Sequence, residues 1–187
     1  MKGRLNLYLH VAVVFILAAG CASTQMQLQL WEASEKGDTA AVQALLEQGV
    51  DVNAKDNGGG TALFYAAAYG HTDTVQALLA HGADVNAKAN NGFTALILAV
   101  GDGNTDTVQA LLAHGADVNA KENRKGTTAL FFASVGGHTE MVRALLVGGA
   151  DVNAKSNNGF TALMAAEMKG NTSIVHLLRN AGAIRLH

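Results

Sequence analysis

The triplet Thr-Ala-Leu begins at Thr61, Thr94, Thr128 and Thr161, and the string Asp-Val-Asn-Ala-Lys begins at Asp51, Asp84, Asp117 and Asp151. Each series advances by 33 residues, with a single step of 34. Thr72 to Lys88 recurs letter for letter as Thr105 to Lys121. A fixed period of this length specifies a solenoid. One supersecondary unit cannot bury its apolar face alone, so copies of it stack.

Inside one unit, "TALFYAAA" and "TDTVQALLA" predict two short helices. A Thr or Asp opens each, and its side-chain oxygen can accept from a free backbone N–H. Gly70 between the helices and Gly82 after the second suit left-handed helix ends. "ADVNAKANNG" supplies Asp84, Asn86, Asn90 and Asn91 for turns in a chain that contains no proline. Leu63, Ala66, Ala67, Val75, Leu78 and Leu79 make the apolar faces. Neither helix is long enough to persist alone in water. With 49% hydrophobic but only 5% aromatic residues, the interior is expected to hold small side chains and closely approaching helices.

The stretch "GHTDTVQALLAHGADVNAK" resembles the ankyrin repeat, and the likeness extends over about residues 28–187. The resemblance implies an all-α solenoid of about five helix-turn-helix repeats with turn-like or β-hairpin-like tips. The repeats fall at about 28–55, 56–88, 89–121, 122–155 and 156–187. Where that family has Thr-Pro-Leu-His, this chain has Thr61-Ala62-Leu63-Phe64, and Ile97, Phe131 and Met164 replace the histidine in later units. The proline and the Thr–His hydrogen bond are therefore lost. The first unit lacks the triplet; Trp31 stands where Phe64 does, and Glu32, Glu35 and Lys36 suit the outer face of an end cap. In the last unit Arg179 takes the place of Leu46, Leu79, Leu112 and Leu146. Arg179 is expected on a free outer face, and Leu112 buried against the unit that follows it.

The same resemblance implies a protein partner, met by the tips and the inner face of the first helices. The candidate partner-binding residues are Tyr69, Phe93, Asp102, Val135, Phe160, Met168 and Lys169, joined by Arg124 and Lys125 in the enlarged tip "ENRKG". Phe93 and Phe160 have an alternative role, packing over their own turns. Lys55, Lys88, Lys121 and Lys155 repeat with the units. Such a ladder serves an acidic partner or simply solvation, and the acids beside two of its members favour solvation. His81 and His114 fit the last carbonyls of their helices, and His71 and His138 begin the second helices of theirs. These histidines are read as framework. No catalytic set, metal-ligand spacing or phosphate loop stands outside the repeat, so no enzyme activity, cofactor or metal is expected. A formal charge of −2 gives no sign of a nucleic-acid binder. The protein is expected to be monomeric.

Residues 1–20 are identified as a targeting segment. Lys2 and Arg4 form a basic start, and Val11 to Ala19 is an unbroken apolar run. At about 1.5 Å per residue that run covers roughly half a bilayer core, too little for a stable span. Leu17-Ala18-Ala19-Gly20-Cys21 resembles the lipobox of bacterial lipoproteins, with Ala18 where a larger aliphatic residue is usual. That resemblance implies lipid on Cys21, the only cysteine, as the mature N-terminus, and a tether over residues 21–27. The alternative is a plain signal peptide cut near Ala19 or Ala22. Ala22, in place of the aspartate that retains such proteins at the inner membrane, points to the periplasmic face of the outer membrane in a Gram-negative host. The expected function is a membrane-anchored scaffold that binds, stabilises or neutralises a periplasmic protein, the last in the manner of an immunity protein. The alternative is a purely structural envelope lipoprotein without a dedicated partner.

Overall fold

The computed structural model describes residues 23–184, apart from the side chain of Asp102. Ten helices form five pairs: α1 (23–36) with α2 (Thr39–Glu47), α3 (Ala62–Ala68) with α4 (Thr72–Ala80), and α5 (Ala95–Asp102) with α6 (Thr105–Ala113). The series ends with α7 (Ala129–Gly136) and α8 (Thr139–Val147), then α9 (Ala162–Lys169) and α10 (Thr172–Asn180). No strand occurs among the described residues. The expected tether does not end where helix begins: residues 23–27 already belong to α1. Met26, Leu30 and Ala33 continue one apolar stripe that packs on the core, so the helix starts earlier than the repeat pattern indicates. Cys21 and the targeting segment lie outside the described residues.

Three of the four triplet threonines cap the first helices without their usual histidine partner, whereas Thr61 opens α3 with no side-chain cap bond. The hydroxyls of Thr94, Thr128 and Thr161 accept from the N–H groups of Ile97, Phe131 and Met164 at 3.3, 3.4 and 3.3 Å. Gly70 and Gly82 end their helices at φ +69° and +83°, which any side chain would strain. First helices stack on first helices and second on second. Leu63, Val75 and Leu78 become fully buried, with Ala66 and Ala67 letting the first helices approach.

Polar side chains then bind each unit to the next. The Asn53 side chain donates to the Gly82 carbonyl at 3.1 Å and accepts from the Asp84 N–H at 2.8 Å. Asn86, Asn119 and Asn153 repeat this clamp one unit further on each time. Two members of the lysine ladder are also structural: Lys55 Nζ donates to the Lys88 carbonyl at 3.1 Å, and Lys121 Nζ to the Lys155 carbonyl at 2.8 Å.

Arg179 is exposed and pairs with Glu167 at 2.8 Å. Leu112 departs from expectation, being half-buried instead of buried. It sits at the margin of the second-helix row, where Gly148 of the next unit lies against it. Leu79 and Leu146 are likewise half-buried, whereas Leu46 is buried.

Candidate functional site

Between the tips and the first helices runs a groove. Around the second unit it encloses about 490 Å³, lined by Gly60 and Ala89 from the tips, by Tyr65, Ala68 and Leu98 from α3 and α5, and by Tyr69 just past the end of α3. The same register recurs in every unit. Phe93 and Phe160 stand where Gly60 does, Val135 and Met168 where Ala68 does, and Asp102 and Lys169 where Tyr69 does. The repeat thus sets these candidate residues along one side of the stack. Arg124 and Lys125 stand beside it, in the tip of the fourth unit.

Their exposure differs. Tyr69 is 52% exposed, Phe160 42% and Met168 74%, and Lys169, Arg124 and Lys125 are exposed too. Phe93 and Val135 are half-buried. Phe93 leans across to Phe132 of the next unit, with ring centroids 6.1 Å apart. Phe160 belongs to the last unit described, so no following helix offers it such a partner. The aromatic exposed at one end of the groove is the same residue that packs in its middle.

Two acids that the sequence did not single out organise the tips. The Tyr65 hydroxyl donates to Asp56 at 2.5 Å, and the N–H groups of Gly58 and Gly60 donate to the same carboxylate at 2.6 and 2.9 Å. Burial alone would raise the Asp56 carboxyl, but Tyr65 and these backbone donors outweigh it and hold it below the ordinary carboxylate range. The same hydrogen bond pushes the Tyr65 phenol up to about 12. In the tip of the fourth unit, Glu122 is buried and accepts from the N–H groups of Arg124, Lys125 and Thr127 at 2.7, 2.7 and 3.2 Å. The Thr127 hydroxyl donates to it as well, at 2.9 Å. Burial again acts upward on its carboxyl, and the Thr127, Arg124 and Lys125 donors bring it down overall. The one-residue insertion is therefore served by an acid one methylene longer than Asp56. That coincidence was the available signal: an acid in the register of Ala89 and Ser156, in the tip that carries the extra residue.

The tips are also joined sideways. The N–H of Asn90 donates to the Gly58 carbonyl at 2.9 Å, that of Asn123 to Asn91 at 2.9 Å, and that of Asn157 to Lys125 at 2.7 Å. The histidines take framework positions. His81 and His114 pair through Nδ1 with the carbonyls of Ala77 and Ala110 at 2.8 and 2.9 Å, and His71 Nε2 reaches the Glu35 carbonyl at 2.8 Å. Among the described residues no group of three or more His, Cys, Asp and Glu side chains could hold a metal ion.

The model of the family described as ankyrin repeats (3 copies) matches residues 30–122 and 120–185. The chain belongs to the ankyrin-repeat family. No curated protein matches it as a relative. Ankyrin repeats are protein-interaction modules, typically without enzymatic activity, so this ankyrin array is a protein-binding scaffold.

Proposed function

We propose that this ankyrin array is lipid-anchored through Cys21 in a bacterial envelope, on the periplasmic face of the outer membrane, and binds another envelope protein through its concave side. The binding half rests on one observation: Tyr69, Phe160 and Met168 are large, substantially exposed, and set by the repeat on the same side of the stack. Exposed aromatic and methionine side chains with polar neighbours are enriched at the centres of interfaces. The anchoring half is supported by the sequence Leu17-Ala18-Ala19-Gly20-Cys21 alone. Stabilising or neutralising a periplasmic protein, as an immunity protein does, is the role that suits such a tethered surface.

Both halves are open to direct test. Cys21→Ser is expected to shift the protein from the membrane to the soluble periplasmic fraction, because each buried CH₂ of a lipid chain contributes about 0.8 kcal/mol to anchoring. Wild-type protein recovered soluble, with its N-terminus at Ala22 or Ser23, contradicts the anchor. Capture from solubilised native envelope is expected to weaken about thirtyfold in Tyr69→Ala/Met168→Ala, with an unchanged urea midpoint. Equal capture by the double variant removes the concave side from the interface. Absence of any partner in wild-type capture favours the purely structural lipoprotein.

A further inference from the structure

Six of the ten Lys and Arg residues within 23–184 stand in the four tips: Lys55, Lys88, Lys121, Arg124, Lys125 and Lys155. Only two of the fifteen acids share the tips with them, Asp56 and Glu122. The fold turns both inward, onto backbone N–H groups and, in Asp56, onto the Tyr65 hydroxyl. The tip row is thus a positive strip on a chain whose net charge is negative. Among the described residues, ion pairs form elsewhere, at Lys36–Glu32, Arg143–Glu140 and Arg179–Glu167. Lys88, Arg124, Lys125 and Lys155 are exposed, and their side chains enter no hydrogen bond or ion pair among those residues. The strip is also stiff, because each tip is hydrogen-bonded through its backbone to the next.

Spacing narrows what such a strip fits. Packed helices lie about 8–10 Å apart, and that distance sets the step from one tip lysine to the next. An extended polypeptide advances about 3.3 Å per residue, so carboxylates at every third residue keep pace with the row. A second row, the exposed Asp51, Asp84, Asp117 and Asp151, runs parallel four residues upstream of the lysines. A broad anionic surface would meet both rows and be repelled by one. A single extended chain can follow the lysines alone.

We propose that the tip row binds an acidic, extended segment of a partner protein, carrying Asp or Glu at about every third residue and centred on Lys121, Arg124, Lys125 and Lys155. This rests on the reading of the chain as a protein-binding module and adds the chemistry of what is bound. Phe160, exposed five residues after Lys155, supplies an apolar contact for the residues between the acids.

The test is fluorescence anisotropy with the full-length protein and a labelled peptide bearing Glu at every third position, with Ser and Ala between. Binding is expected to saturate, to weaken steeply as salt shortens the Debye length, and to fall about tenfold or more in Lys88→Gln/Arg124→Gln/Lys125→Gln/Lys155→Gln. These four side chains make no bonds within the fold, so the variant is expected to keep the wild-type urea midpoint. A matching Lys→Arg variant at positions 88, 125 and 155 is expected to retain binding. Equal binding by the Gln variant, or equal binding of a peptide with Lys in place of Glu, overturns the proposal. So does binding to phosphatidylglycerol vesicles through these cations with no binding of the peptide, which assigns the strip to lipid. The Tyr69/Met168 capture assay is independent: capture that persists while the peptide fails to bind refutes only the acidic segment.

Discussion

The tips of the second and fourth units are filled with an acid, those of the third and fifth units with a phenylalanine. All four close with the same backbone bond, from the N–H of Asp56, Ala89, Glu122 or Ser156 to the carbonyl of Gly60, Phe93, Thr127 or Phe160. What differs is the space beside that bond. A Cβ on Gly60 would come within 2.8 Å of Asp56 Oδ2, so an acid and a large residue exclude one another there. Where Ala89 and Ser156 leave room, Phe93 and Phe160 occupy the register of Gly60. The lesson is that the repeat fixes the closure of a tip and leaves its filling free. An acid filling draws the backbone N–H groups inward, and an aromatic filling puts apolar surface on the groove.

The sharpest way to break this contrast is to remove the acid from the enlarged tip. Glu122→Ala leaves the N–H groups of Arg124, Lys125 and Thr127 without their acceptor and is expected to cost about 2–3 kcal/mol, read as a fall in the urea midpoint. A loss below about 0.5 kcal/mol means that water serves the loop as well as the carboxylate does. Away from the tips, Leu112→Arg is expected to cost about 1–2 kcal/mol, because its site against Gly148 is only half covered. Arg179→Leu is expected to stay within about 0.5 kcal/mol and to promote self-association, seen by sedimentation. Equal destabilisation by the two places Arg179 inside the stack. Asp56→Asn is expected to cost about 1 kcal/mol and to bring the Tyr65 phenol down from about 12 toward the ordinary range, checked by ultraviolet titration of the tyrosinate band.

Acid provides a further contrast between the two kinds of tip. Asp56 and Glu122 titrate lower folded than unfolded. Their contribution to stability is present in full above the ordinary carboxylate range and is lost as pH falls through the folded values. The urea midpoint of wild type is therefore expected to drop more steeply below about pH 4.3 than that of Glu122→Gln. Parallel curves mean that Glu122 is not held in its charged form. Smallest of all, Phe160→Ser is expected to leave stability unchanged within about 0.5 kcal/mol, since the ring is exposed. Phe93→Ser, which loses the contact with Phe132, is expected to cost more.

The stack itself was legible because its cause is periodic. Leu63, Val75 and Leu78 recur at fixed places, with copies in the neighbouring units, and all three are fully buried. The histidines at 81 and 114 and the caps from Thr94, Thr128 and Thr161 were legible for the same reason; the uncapped start at Thr61 was not. Three other features were not legible. That helix already covers residues 23–27 goes with the packing of Met26, which has no counterpart in later units. The half-burial of Leu112, shared by Leu79 and Leu146, depends on how far the next unit reaches over that margin. The roles of Asp56 and Glu122 depend on which way a carboxylate turns, and charge read along the chain favoured solvation where the fold points both acids inward. Of the candidate binding residues, register placed the set on one side, but only packing separates exposed Phe160 from half-buried Phe93.

That the concave side is kept for a protein partner is tested most directly by amide hydrogen exchange on the full-length protein, alone and bound to the partner it captures. Binding is expected to slow exchange in residues 65–69, 155–160 and 165–169 and to leave α4, α6 and α8 unchanged. Slowed exchange confined to those second helices, around exposed Val147 for example, would contradict it and move the interface to the opposite side of the stack.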